Sequence, residues 1–245
     1  MFTAVTENPT AIDCVSKDIL RRKQSLAVSA LAHSNFALVS EKSEKRQYCE
    51  KYIADRFERA FGAQITEFFP TLLVCEDRDA IKATVGLRSG EQRPFFLEQY
   101  LEDSLEKIFG TITGNSIQRS ELIEIGNLAA SGKPCSQALF VLLAAILAEA
   151  GYKWVVFTAT AQIRCLLEGL QLQAITLCAA SESKLTPNAA DWGSYYAARP
   201  EVQAGSLATA MQVLGRNHLA NSILLRYADT ITQLARLLRE GGKAS

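Results

Sequence analysis

The stretch Ile123–Ser136, IEIGNLAASGKPCS, runs directly into residues 137–160, QALFVLLAAILAEAGYKWVVFTAT. A strand-like apolar run breaks at a Gly-Lys-Pro loop, opens a strongly apolar helix that stops at Gly151, and returns as a second strand. The unbroken apolar run WVVFTA implies burial on both faces, as in a central strand with parallel neighbours under a cover of helices. One residue does not belong to this pattern. Glu124 is an acidic side chain inside a core strand, where a charge is costly unless the site uses it.

Working outward, FALVSEK reads as a first strand. The segment SEKRQYCEKYIADRFERAFG carries apolar or aromatic residues at helical spacing and stops at Gly62. Three strand candidates follow, AQITEFFPTLLVCE, AIKATVGLRS and PFFLEQYL, separated by turn signals that suggest an antiparallel meander. SLEKIFGTITG reads as a short helix with a glycine stop. Beyond residue 160, AQIRCLLEGLQ is a helix and QAITLCAA a strand. The expected fold is α/β (α+β): a mixed twisted sheet with helices on both faces. Past Ser181 the pattern weakens into the aromatic, turn-rich WGSYYAARPEVQAG. Residues 207–238 then hold two helical stretches, fitting core packing, a lid or a dimer contact. The organisation is an N-terminal arm or peripheral helix (1–32), a main domain (33–206) and a C-terminal helical extension packed on it (207–245).

Composition excludes several classes. The 26 basic and 26 acidic residues cancel, so no global field steers the chain to nucleic acid or anionic lipid. The six cysteines, at 14, 49, 75, 135, 165 and 178, contain no Cys-x-x-Cys pair and fit free thiols in a reducing cytoplasm. With only His33 and His218, no metal site is expected. The N-terminus lacks the basic and apolar regions of a secretory signal, and the most apolar run, residues 139–148, is about half the length of a spanning helix.

Five blocks carry a resemblance: LVSEKSEKRQYCEKYIADRFERAFGAQITEFFPTLLVC, VGLRSGEQRPFFLEQYL, IEIGNLAAS, GYKWVVFTAT and WGSYYAARPEVQAG. In this order, over roughly residues 38–206, they resemble the bacterial thermostable haemolysin family. That family's pattern is similar to the acyltransferase-type fold of GNAT enzymes and acyl-homoserine-lactone synthases, with IEIGNLAAS resembling the strand before the donor loop. The resemblance implies an N-acyltransferase that moves an acyl group from an acyl-carrier-protein or acyl-CoA thioester to an amine by direct attack. The alternatives are a membrane-active haemolysin and a non-catalytic module that binds an acyl ligand.

In that arrangement two parallel strands, residues 123–129 and 154–158, splay apart around the pantetheine arm of the donor. Ile125, Gly126, Leu128, Ala129, Phe157 and Thr158 line it, and Gly132 and Lys133 meet its phosphate at a helix N-terminus. A single glycine in that loop is a poor cradle for the CoA pyrophosphate, which favours an acyl carrier protein as donor and partner. No cofactor is held permanently; the acyl-phosphopantetheine thioester is a co-substrate. Glu124 takes a proton from the acceptor amine, and Glu98, expected on a neighbouring strand, converges on the same pocket. Asn127 polarises the thioester oxygen, Tyr196 or Tyr195 protonates the leaving thiolate, and Gln99, Tyr100, Trp192 and Tyr195 form the acceptor pocket. Cys135 sits where a thiol can be activated, but no histidine lies near it in sequence, so it reads as a loop residue. A cytoplasmic protein, with a homodimer allowed and neither nucleic acid nor a transmembrane segment, completes the expectation.

Overall fold

Among the described residues seven strands carry the fold, and their order explains where an opening forms. In this computed structural model, which describes residues 34–91, 94–185 and 191–243, they are β1 (Ser34–Ser40), β2 (Thr71–Asp77), β3 (Ala80–Ser89), β4 (Leu122–Ala130), β5 (Trp154–Ala159), β6 (Ile175–Ala179) and β7 (Glu201–Ser206). They form one sheet in the order β1-β2-β3-β4-β5-β7-β6. The first four are an antiparallel meander, β4 and β5 are parallel, and β7 runs antiparallel to both β5 and β6. The mixed sheet with helices on both faces is the expected architecture. The arm at residues 1–32 lies outside the described residues.

Three expectations are corrected, the first being that the two helical stretches read beyond residue 206 are three helices, Leu207–Arg216, His218–Arg226 and Ala228–Lys243, the longer stretch breaking at Tyr227. PFFLEQYL is no strand: after Pro94 the chain turns into a 3-10 helix, Phe96–Tyr100, because the Glu98 carboxylate reaches back to accept from the Phe95 N–H at 3.1 Å. β7 arises inside the stretch that reads as turn-rich, since EVQAGS is short and its small residues give a weak alternation. It separates β6 from β5, so β5 has only one parallel neighbour.

The helices are α1 (Arg46–Phe61), α2 (Leu105–Thr113), α3 (Lys133–Glu149), α4 (Ala161–Gly169), α5 (Leu207–Arg216), α6 (His218–Arg226) and α7 (Ala228–Lys243). α3 is apolar on all sides because both are covered: Ile123, Ile125, Leu73 and Val85 of the sheet lie in the same core as α3 and as Leu214, Ile223 and Leu234 of the C-terminal helices. Those helices reach the sheet edge, where the Tyr227 ring meets Phe36 edge-on at 5.1 Å and its hydroxyl donates to the Ser34 carbonyl. The opposite face is divided. α1 covers Leu72 and Val74 at one end, while α2 and the 3-10 turn cover Leu122, Val156 and Val202 at the other.

An irregularity in β4 lies at the division. Gly126 pairs with Gly86 and Ala129 with Thr84, so β4 holds one residue more than β3 over this span, and Asn127 adopts a left-handed φ of 47°. The bulge reverses the alternation. Leu122, Glu124 and Gly126 share one face, and Ala129 rejoins it. Pairing with β5 ends at Ile125–Phe157, after which β4 follows β3 and β5 follows β7. The two parallel strands part just past Glu124.

Phe69 fills the division from above. A Cβ on Gly86 would lie 2.8 Å from the Phe69 Cβ and 2.9 Å from the Asn127 Oδ1, and one on Gly126 would lie 2.8 Å from the far tip of the ring. The backbone holds a Cβ in place, whereas a ring tip can tilt. Gly86→Ala is therefore expected to destabilise by about 1–3 kcal/mol and Gly126→Ala by less, as read from urea unfolding midpoints of the two variants.

Candidate active site

Beneath the parting strands lies a cavity of about 670 Å³ that continues through the sheet. On one face its walls are Phe140 of α3 with Ile163 and Leu166 of α4. On the other they are Phe57 and Phe61 of α1, Phe69, Phe96, Tyr100, Trp192 and Tyr195. β4 supplies an unbroken edge from Glu124 to Ala130.

Glu124 is only 2% exposed. Both of its oxygens accept from backbone, Oε2 from Phe96 N at 2.7 Å and Oε1 from Leu97 N at 2.9 Å, at the start of the 3-10 turn. Directly across the strand pair stands Arg88, buried at 6% exposure, whose guanidinium lies over the Phe69 ring at 4.3 Å and is paired to Glu67 at 2.7 Å. Burial disfavours the charged carboxylate more than Arg88 and the two amides favour it, so the Glu124 carboxyl is pushed up to about 8. It is a group that exchanges its proton near neutral pH.

Asn127 is held by its surroundings. Its Oδ1 accepts from Phe69 N at 2.9 Å and its Nδ2 donates to the Glu67 carbonyl at 3.2 Å, which fastens the loop after α1 to the bulge. It lines the cavity with an amide already engaged at both ends. Glu98 was expected beside Glu124 on a strand. It stands instead on the 3-10 turn, outside the cavity lining, with both oxygens on Arg119 at 2.5 and 2.7 Å. Tyr196 also lies outside the lining, while Tyr100 is in it, and their hydroxyls share a hydrogen bond of 2.5 Å. Burial pushes both phenols up, so they remain protonated. Gln99 turns its amide to the Phe96 carbonyl and is not in the lining.

The donor-side residues Ile125, Gly126, Leu128, Ala129, Gly132, Phe157 and Thr158 all line the cavity, as do the acceptor-side Tyr100, Trp192 and Tyr195. The side chain of Lys133 lies outside the described residues. Sequence reading passed over Arg56 and Arg59, which bring positive charge to the cavity from α1, where Arg56 donates to the Ala130 carbonyl beside the start of α3. It also passed over Phe69, Arg88 and Phe96. The helical spacing of Arg56, Arg59 and Ala60 puts them on one side of α1, which was the available signal.

The family model described as Thermostable hemolysin matches residues 39–211. No curated protein sequence matches the chain. FeeM, an N-acyl amino acid synthase from uncultured soil microbes, is similar in structure at 10% identity and TM-score 0.52, covering 77% of this chain and 97% of its own. The AHL synthase LasI is similar at 11% identity and TM-score 0.49, covering 71% of this chain and 90% of its own. At such identities the likeness to FeeM is one of fold, and that fold is GNAT-like, with its parallel strands parting at the site.

The raised Glu124 carboxyl has a consequence for stability. Between its ordinary value of 4.5 and about 8 the native state holds a proton that the unfolded chain has released, so stability falls as pH rises through this window. Glu124→Gln removes that dependence. The stability difference should move in the variant's favour from pH 5 to pH 8, no more steeply than about 1.4 kcal/mol per pH unit, in denaturant melts of both proteins.

Proposed function

We propose that this chain, which belongs to the thermostable haemolysin family, is an N-acyltransferase that passes an acyl group from a phosphopantetheine thioester to an amine. The observation that carries this reading is the buried Glu124 carboxyl at the point where β4 and β5 part, beside a cavity open through the sheet. An amine must lose a proton to attack a thioester, and a carboxyl that titrates near neutral pH inside an apolar cavity is suited to take it. FeeM, which has the same fold, is by name an N-acyl amino acid synthase.

In this reading the arm of the donor lies along the unpaired edge of β4 between Gly126 and Ala130. Its phosphate meets Gly132 and Ser136 at the start of α3, with Arg56 and Arg59 across the opening. The acyl chain takes the apolar side formed by Phe140, Ile163 and Leu166, and the acceptor takes the aromatic side around Trp192 and Tyr195. The amine nitrogen attacks the thioester carbon, the C–N bond forms and the C–S bond breaks. The proton leaves the nitrogen for Glu124 and passes from there to the departing thiolate, which the Tyr100 hydroxyl, backed by Tyr196, steadies with a hydrogen bond. Backbone amides of β4 beyond Ile125 stabilise the developing oxyanion, because Asn127 is committed to the loop. An acyl carrier protein is the preferred donor, since the single Gly132 offers little cradle for the rest of CoA. Lysis attributed to the family then follows from an amphiphilic N-acyl product; among the described residues no helix is long and apolar enough to cross a membrane.

With acyl-carrier-protein and acyl-CoA donors of several chain lengths and a panel of amines, the protein should form N-acyl amides. The kcat/KM should rise with pH toward a limb near 8. Glu124→Gln should lower turnover by about 100-fold or more while keeping the thermal stabilisation that the donor confers. Undiminished turnover in the variant removes Glu124 from the chemistry. A protein that no donor stabilises, and that leaks liposomes unaided, is a lytic protein instead.

A further inference from the structure

Arg119 makes more contacts than a partly exposed arginine needs. Its guanidinium grips Glu98 with two nitrogens at 2.5 and 2.7 Å, touches Glu106 of α2 at 3.2 Å, donates from Nε to the Gly90 carbonyl at 3.3 Å, and lies 4.5 Å above the Phe95 ring. These contacts tie the end of β3, the 3-10 turn, α2 and the approach to β4 at one point. A bidentate arginine–carboxylate pair of this kind is rigid as well as strong.

The turn shows what the grip controls. Three successive backbone N–H groups end on carboxylates: Phe95 on Glu98 at 3.1 Å, then Phe96 and Leu97 on Glu124 at 2.7 and 2.9 Å. Two acidic side chains thus share one short helical terminus, and they repel. Arg119 neutralises the outer one, and the buried one is left to exchange a proton. We propose that Arg119 is a positioning residue for Glu124, acting through Glu98 and the turn Phe96–Tyr100 to hold the two amides in place and to set the proton affinity of the buried carboxyl.

The other groups facing Glu124 are Arg88 on β3, with Glu67 behind it, and the Tyr100 hydroxyl; its neighbour on β5, Val156, is apolar. Arg88 and the two amides favour the charged form, and burial and Glu98 oppose it. Two substitutions must therefore act in opposite directions. Arg119→Met exposes Glu124 to an unneutralised Glu98 and slackens the amides, which raises its titration midpoint. Glu98→Gln keeps an oxygen for the Phe95 N–H but removes the negative charge and leaves Arg119 in place, which lowers it. A contact that merely stabilises the fold would move both variants alike or neither.

The test is carboxyl 13C NMR of the full chain labelled at glutamate, with the Glu124 signal assigned from its loss in Glu124→Gln. The midpoint is expected to rise in Arg119→Met and fall in Glu98→Gln, each by about half a pH unit or more, a threefold change in proton affinity. Arg119→Lys, which keeps the charge but not the fork, should lie between the parent and Arg119→Met. Midpoints unchanged in the variants, or displaced in the same direction in Arg119→Met and Glu98→Gln, overturn the proposal. If Arg119→Met does not fold, Glu98→Gln and Arg119→Lys decide it alone, an unmoved Glu98→Gln midpoint being fatal. The coupling does not depend on turnover; only its part in catalysis rests on Glu124 as the proton acceptor. Should the NMR shifts occur in a protein that transfers no acyl group, the acyltransferase reading falls and this inference stands.

Discussion

A carboxyl in the middle of a sheet must find hydrogen-bond donors that the sheet does not provide, and much of this structure is arranged around meeting that need for Glu124. Ladder amides are already engaged with neighbouring strands. The donors come from a separate segment, the first amides of the 3-10 turn Phe96–Tyr100. A turn that supplies them must be seated firmly, and the Glu98–Arg119 pair, the Phe95 ring and the α2 contacts seat it. Two amides and a cross-strand arginine are too little to outweigh burial, so the carboxyl stays between its two forms near neutral pH rather than being fixed as a charge.

The second constraint is the extra residue in β4. A bulge bends its strand, and here the bend leads β4 away from β5 just after the pair Ile125–Phe157. Asn127 adopts the left-handed conformation that asparagine tolerates better than most residues, and its side-chain amide closes the local hydrogen bonds with the loop at Glu67 and Phe69. The bulge therefore opens the sheet without leaving that side chain unsatisfied. Because the covering of this face is divided between α1 and the turn, the opening meets a cavity instead of a helix, and the aromatic rings around Trp192 form its wall.

Much of this was legible along the chain. The helical spacing in α1 and α2, the all-apolar α3 and the glycine stops at Gly62, Gly114 and Gly151 follow from local chemistry, and so does the strand character of β4 and β5. Glu124 was conspicuous because a single acidic residue interrupts an apolar period. Glu98 misled for the same reason that it matters. In isolation PFFLEQYL has strand composition, but its carboxylate folds back on the preceding amide and an arginine 21 residues further on completes the arrangement. The last strand, β7, was hidden because Gly205 and Ala204 carry little apolar signal until β5 and β6 lie on either side.

Sequence alone determined most of the elements, though neither the 3-10 turn nor β7, together with the α/β class and the presence of one anomalous acid in the core, since these rest on hydrophobic period and local composition. Which groups that acid would meet was decided only by the tertiary structure. The amides that hold Glu124 lie 28 and 27 residues before it, and the loop fastened to Asn127 lies about 60 residues away. Such meetings depend on the register of strands and on how the covering segments share the sheet. A carboxyl's proton affinity depends on every charge and dipole that folding brings around it, and for Glu124 those lie on segments distant in the chain.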